Sequence, residues 1–348
     1  MVLVAKERPG VYSDYDASGI LWGAQAQNKI AVAALNGKAE AGRVYTLSRL
    51  SDARAAFGEE GEMSALCALL LQNGASQICA AAVAENTAAA YEGAFSALCR
   101  EEGVRAVVCD STQGDILQKL CESAETASAQ NRERVGVAAC PESADLTEFA
   151  SRFNSERMAL LAQSPLSNEG EALPRPRLAS AVAAALFRES DPSQSRNGLI
   201  IKGFSGLSPA LSEEGLDEYV SAGVCPLEKV GGNIELIRAV TSRTKTDGNP
   251  DKSFRELSTV LIIDDVLESV RAAMKSLLSG KNTPRTLFAV ATQAALVLEE
   301  KKEQERVYSY AQPVVTRNAE DPAVCEVTLS FAVANPFNQI QITAHIAV

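Results

Sequence analysis

The sequence predicts an α/β protein, α+β when taken as a whole. Segments from the two chain ends form a joint core, and an α/β domain is inserted between them. Three observations predict this. Between residues 76 and 187 short apolar strands and helices take turns, which marks a mostly parallel sheet covered on both faces. The stretch Val224–Thr286 leads from a Gly231-Gly232 turn through a β-branched run and a polar loop into a long amphipathic helix. Charge divides the chain as well: residues 226–348 carry 14 Lys+Arg against 15 Asp+Glu, which leaves 19 against 29 for residues 1–225. A near-neutral C-terminal part thus stands beside an acidic remainder.

Met1–Ala5 is a short β-type run followed by Arg8-Pro9-Gly10, which forbids a helix there. Ser18–Ala34 and Val44–Leu50 are strand-like pieces separated by Asn36-Gly37 and Gly42, and Leu50-Ser51-Asp52 opens a helix leading through Phe57. Glu62–Asn73 is a helix rich in Leu, Ala and Cys that stops at Asn73-Gly74. Four strands follow, Ser76–Val83, Val104–Asp110, Arg134–Ala139 and Arg157–Gln163, interleaved with helices Ala88–Arg100, Ile116–Ala127 and Leu146–Arg152 and followed by helix Arg177–Phe187. In the helix expected over Ser253–Ser279, Phe254, Leu257, Leu261, Leu267, Val270, Met274 and Leu277 form the apolar face. Arg255, Glu256, Asp264, Asp265, Glu268, Arg271 and Lys275 form the polar one. Leu287–Leu298 is a second helix, and the charged run Glu299–Glu303 reads as its solvated last turn. Cys325, Val327, Leu329, Phe331 and Val333 alternate with polar residues, and beyond Asn335-Pro336 the residues Ile340, Ile342, Ile346 and Val348 do the same.

With 348 residues, 46% of them hydrophobic and 22% charged, the chain is an ordinary folded protein with room for two or three compact units. The net charge of -11 argues against a nucleic-acid binder, because neutralising phosphates requires a basic surface. Eight cysteines lie far apart, none in C-x-x-C spacing and several inside apolar runs, as expected of buried free thiols in a reducing compartment. MVLVA stops at Lys6, too short for a signal peptide, and the apolar run Ala179–Phe187 is too short to cross a bilayer. A protein made and kept in the cytoplasm, or leaving it by cell lysis, without direct membrane insertion, is expected.

Catalytic constellations are nearly excluded by counting. The one histidine, His345, falls on the polar side of the last strand-like segment, and histidine-based triads need a preorganised base. Ser279-Gly280-Lys281-Asn282 partly matches a phosphate loop, but Lys275 occupies the first glycine position, Asn282 replaces Ser/Thr, and the motif ends a helix instead of opening one. Asp264, Asp265 and Glu268 share a helix turn, where nearby Arg271 and Lys275 make a paired or solvated face the simpler reading than a cation site. No catalytic residue, metal or cofactor is therefore assigned.

The order of Pro226-Leu227-Glu228, the Gly-Gly turn, Arg238-Ala239-Val240-Thr241-Ser242-Arg243-Thr244, the helix carrying Ile263-Asp264-Asp265-Val266-Leu267-Glu268-Ser269-Val270-Arg271, and its end at Ser279–Thr286 resembles the C-terminal core of contractile phage tail sheath proteins and related injection particles. Glu7–Tyr15 looks like that family's N-terminal segment and Ala332–Val348 its C-terminal arm. The resemblance implies a non-catalytic inserted domain of subtilisin-like topology. It implies a structural subunit that stacks as six-membered rings into a helical tube around an inner tail tube. Contraction then drives that tube through a target envelope, with genome ejection when the particle is a phage. The implied partners are further copies of the chain, the tube protein, and baseplate and tail terminator proteins. The implied place is the tail of a virion or contractile particle assembled in a bacterial host cytoplasm.

The expected division is residues 1–20 as N-terminal arm, 21–74 as the N-terminal part of the core, 75–225 as the outer α/β domain, 226–334 as the tube-proximal core and 335–348 as the C-terminal arm. Val2, Leu3, Val4, Ile340, Ile342, Ile346 and Val348 are the expected strand residues of the arms, completing sheets of neighbouring subunits, with Asn335, Pro336 and Phe337 as hinge. Arg255, Arg271, Lys275 and Lys281 are expected to face the tube. Two other readings stay open: another ring-forming tail or baseplate component, or an α/β enzyme whose site residues are dispersed.

Overall fold

The computed structural model describes residues 28–142, 145–278, 280–321 and 323–335. The chain opens with β1 (Lys29–Leu35), β2 (Val44–Leu47), α1 (Leu50–Phe57), α2 (Glu62–Gln72) and β3 (Gln77–Val83). It continues through α3 (Ala88–Cys99), β4 (Val104–Cys109), α4 (Gly114–Ala129), β5 (Val135–Ala139), α5 (Leu146–Ser151) and β6 (Met158–Leu161). These six strands form one sheet in the order β2-β3-β1-β4-β5-β6. All neighbours are parallel except β2, which runs antiparallel to β3 on the edge. Counted in chain order the five parallel strands run 2-1-3-4-5, a doubly wound arrangement.

Side-chain alternation assigns the two faces of this sheet. Ile30, Val32 and Ala34 point into a core shared with α1, α2 and the later helix α6 (Arg175–Leu186), while Ala31 and Ala33 point into one shared with α3, α4 and α5. The sequence pattern predicts the α/β unit to begin near residue 75, yet the sheet takes in residues 29–47. The reason lies in β1 itself. KIAVAAL is apolar on both faces, and the five residues Ile30–Ala34 are fully buried, which only a central strand achieves. Helix α6 is buried nearly all round because its alanines let it lie close between sheet and α2.

Arg134, just before β5, is 1% exposed. Its guanidinium donates to the carbonyls of Leu98 and Glu101, each at 2.8 Å, so it caps the C-terminal end of α3. The sheet's far edge is closed by the chain after α7 (Glu213–Ala222). Val224 bridges to Leu160, and the N–H groups of Cys225 and Ser242 donate to the carbonyls of Leu160 and Met158 at 2.8 Å.

Between these elements lie the short pairs β7 (Ser164–Leu166) with β9 (Gly206–Ser208), and β8 (Leu199–Ile201) with β11 (Asn233–Leu236) and β10 (Leu227–Val230). The two-residue strands β12 (Lys245–Thr246) and β13 (Asn249–Pro250) make a further pair. The last part consists of α8 (Leu257–Met274), a 3-10 turn at Lys275–Leu277, α9 (Pro284–Glu303), β14 (Val307–Tyr310), β15 (Val314–Arg317), β16 (Cys325–Thr328) and β17 (Phe331–Val333). β14 pairs with β17 and β15 with β16, so residues 307–333 form one two-stranded ribbon interrupted around Pro313. Its inner half packs on α8 and α9 in a third core built on Ile262, Val266, Val270, Val297, Leu298 and Val307.

Among the described residues all eight cysteines are free, and six are buried. Burial pushes the thiols of Cys67, Cys109, Cys121, Cys140 and Cys225 up to about 12, which keeps them unreactive at neutral pH.

Candidate functional site

Doubly wound sheets bind ligands outside the carboxyl ends of the strands where the order reverses, here β1 and β4. That place is filled by the chain's own polar groups. The Leu35 N–H donates to Asp110 Oδ2 at 2.9 Å and the Tyr91 hydroxyl donates to Asp110 Oδ1. Nearby, Asn36 Nδ2 donates to the Phe57 carbonyl at 2.9 Å. Burial pushes the Asp110 carboxyl and the Tyr91 hydroxyl above their ordinary values. Arg177 of α6 grips Glu62 of α2 through three contacts of 2.7 to 3.2 Å. The Arg177–Glu62 pair ties the start of α6 to the start of α2.

At the opposite edge, α8 lies across the amino ends of β4, β5 and β6. Asp264, Glu268 and Arg271, at i, i+4 and i+7, make one stripe of the helix. Asp264 accepts two hydrogen bonds from Arg157 at 2.5 and 2.7 Å, Glu268 accepts one from Arg105 at 3.2 Å, and Arg271 pairs with Glu133. Next to this stripe Asp265 receives Lys301 Nζ at 2.8 Å and Arg306 Nη1 at 2.9 Å. Burial weakens the Arg157 guanidinium's hold on its proton, but the Asp264 carboxylate outweighs it and raises the pKa.

This geometry corrects the expected faces of the helix. Asp264 is buried, and Leu267 is only half-buried while Ile262, Val266 and Val270 carry the contact with α9. The helix begins at Leu257 instead of Ser253, and Lys301, expected in a solvated last turn, is buried against Asp265. The cause is common to all three: α8 is enclosed on two sides, by the α/β unit and by α9, so a single apolar stripe does not describe it. Charged residues that each meet an opposite charge from a distant segment leave no periodic signal in sequence.

Of the four cations expected to face a tube, Arg271 is engaged by Glu133 and Arg255 is half-buried beside Arg238, with burial lowering its pKa. Lys275 and Lys281 are exposed at the turn between α8 and α9, where the apolar side chains of Leu278 and Phe288 are 82% and 75% exposed. The expected arm residues Val2, Leu3, Val4, Ile340, Ile342, Ile346 and Val348, the hinge residues Pro336 and Phe337, and His345 lie outside the described residues. Asn335 is described and exposed, and its Oδ1 accepts from Thr259 Oγ1 of α8 at 3.0 Å. Asn28 precedes β1 at the same amino edge, and it and Leu261 line one cavity of about 80 Å³. The first and last described residues therefore stand at one edge of the sheet. Within the ribbon, each strand has one strand neighbour among the described residues, and Tyr308 and Val314 are exposed.

No family model and no curated protein matches the chain. Solved structures do. A chain of the anti-feeding prophage baseplate superimposes with a TM-score of 0.76 at 13% identity, covering 99% of this chain and 100% of that one. The sheath tail protein Lin1278 from Listeria innocua gives 0.73 at 10% identity over 89% of this chain and 92% of its own. A chain of an extracellular contractile injection system, the PVC sheath complex in the contracted state, gives 0.71 at 13% identity over 99% of both chains. The fold is that of the contractile tail sheath proteins, held in common at identities too low for side chains to be equated.

Proposed function

From the sheath fold that the chain shares over nearly its whole length, we propose that it is the structural subunit of a contractile sheath, not an enzyme. It polymerises as stacked six-membered rings into a helical tube around an inner tail tube, anchored at a baseplate and closed by a terminator. Shortening and widening of the tube drive the inner tube through a target envelope. The particle is a phage tail or a related injection device, assembled in the cytoplasm of its bacterial host.

Beside the shared fold, the observation that supports this reading is the two-stranded ribbon 307–333, packed on α8 and α9 and followed by Asn335, which accepts from Thr259 of α8. A ribbon of two strands accepts further strands on its open edges, and main-chain hydrogen bonds supply affinity while alternating side chains fix register. Residues 1–20 and 335–348 are the arms that provide those strands, with Val2, Leu3, Val4, Ile340, Ile342, Ile346 and Val348 in the ladder and Asn335, Pro336 and Phe337 as the hinge. A head-to-tail contact of this kind does not close on itself and so propagates. Work on contraction then comes from the lattice's conformational energy.

Negative-stain microscopy of the purified protein, alone and with its tube protein, tests the reading. Long hollow tubes of high mass are expected. A small soluble oligomer that binds a metabolite at the carboxyl edge would replace it with the enzyme reading.

A further inference from the structure

Two surfaces at opposite ends of the molecule carry unneutralised charge of opposite sign. Beyond the amino edge, the turn joining α8 to α9 and its flanking helix ends expose Leu278 and Phe288 together with Lys275, Lys281 and Arg285. At the carboxyl edge, the first two turns of α7 expose Glu213, Glu214, Asp217 and Glu218. The position of α7 is fixed by its flanks. Gln163, just past β6, donates to the Pro209 carbonyl at 3.0 Å before the helix, and Val224 returns beside Leu160 after it. Among the described residues, neither the three cations nor the four carboxylates form an ion pair with one another or with any other side chain.

Own-helix electrostatics accounts for Glu213 and Glu214, which the N-terminus of α7 favours, but not for Asp217 and Glu218 a turn further on. Nor does solvation account for two large apolar side chains left exposed on the same turn as three cations. We propose that the α8–α9 turn of one copy docks on α7 of the next copy, with Leu278 and Phe288 desolvated at the centre and the cations meeting the α7 carboxylates around them. Because the two surfaces lie at opposite ends of one sheet, the contact is heterologous and continues from copy to copy. The inference rests on the lattice-forming reading and names a side-chain contact within it, separate from the strand exchange of the arms. It also reassigns Lys275 and Lys281, expected to face a tube, to a second copy, because the complementary acidic surface is present on this chain itself.

The test is a charge swap. One variant carries K275E, K281E and R285E; another carries E213K, E214K and D217K. Each alone is expected to raise the protein concentration needed for tubes by about tenfold, the sum of a few exposed pairs, and the two mixed are expected to polymerise together as wild type does. Circular dichroism checks that both fold. In a C99S, C325S background, K281C with E214C is expected to give a ladder of cross-linked copies with a short bis-maleimide, the six buried thiols staying silent. Wild-type tubes that both variants match in yield, with no ladder, overturn the contact and leave the sheath reading standing. Variants that self-assemble normally but no longer coat a tube protein also overturn it and return the cations to the tube. Absence of wild-type tubes overturns the sheath reading itself, and the contact with it.

Discussion

Arg157 and Asp264, 107 residues apart in the chain, meet through two N–H···O contacts of 2.5 and 2.7 Å that join the amino end of β6 to the middle of α8. The pair is the central link of a charged seam between the α/β unit and the last third of the molecule, with Arg105–Glu268 and Arg271–Glu133 beside it. The apolar core of the α/β unit reaches α8 at Leu257 and Leu261, and a separate core on Ile262, Val266 and Val270 joins the helix to α9.

Removing one partner strands a buried charge. D264A is expected to destabilise the fold by about 3–5 kcal/mol in denaturant unfolding, whereas R157M with D264L is expected to return to near wild-type stability. Additive losses in the double variant would contradict the pairing.

Gly223 ends α7 with φ at +80°, and a Cβ there would lie 2.9 Å from the Thr241 carbonyl oxygen. G223A is expected to cost about 1–3 kcal/mol, combining the left-handed backbone with that close approach. An unchanged melting temperature would show that the loop carrying Thr241 moves freely.

The Asp251 carboxyl is held down to about 2 by hydrogen bonds from the Ser253 hydroxyl, the Thr246 hydroxyl and the Ser253 N–H. A depressed carboxyl contributes stability above the ordinary value of 3.8 and loses it as pH falls through the folded value. NMR titration is expected to show the 246–253 loop unchanged at pH 4 and loosening toward pH 2; a midpoint near 4 would contradict the bonding.

Deleting 340–348 is expected to leave a folded subunit and abolish tubes, measured by circular dichroism and sedimentation. Tubes of normal length from the truncated chain would remove these residues from the assembly.

Much of the fold was legible because the periodicity of an α/β layer is local. Strands Val104–Cys109 and Val135–Ala139 and helices Ala88–Cys99 and Leu146–Ser151 fall within a residue or two of their expected spans. β1 was legible as a strand but not as a central one, since KIAVAAL reveals two buried faces only once α2 and α3 stand on both sides of it. The seam was hidden for a related reason. Asp264 looks like any surface carboxylate on a helix until Arg157 is brought to it from another element, and the exposure of Leu278 and Phe288 depends on how α8 and α9 pack. Pairings at long sequence separation are set by topology, which no window of residues contains.

Helical reconstruction of the assembled protein by electron cryomicroscopy tests the central claim most directly. The account predicts a tube in which residues 1–20 and 335–348 of one copy add strands to the 307–333 ribbon of others. A closed small oligomer, or a lattice in which each copy keeps both terminal segments within its own sheets, would contradict it.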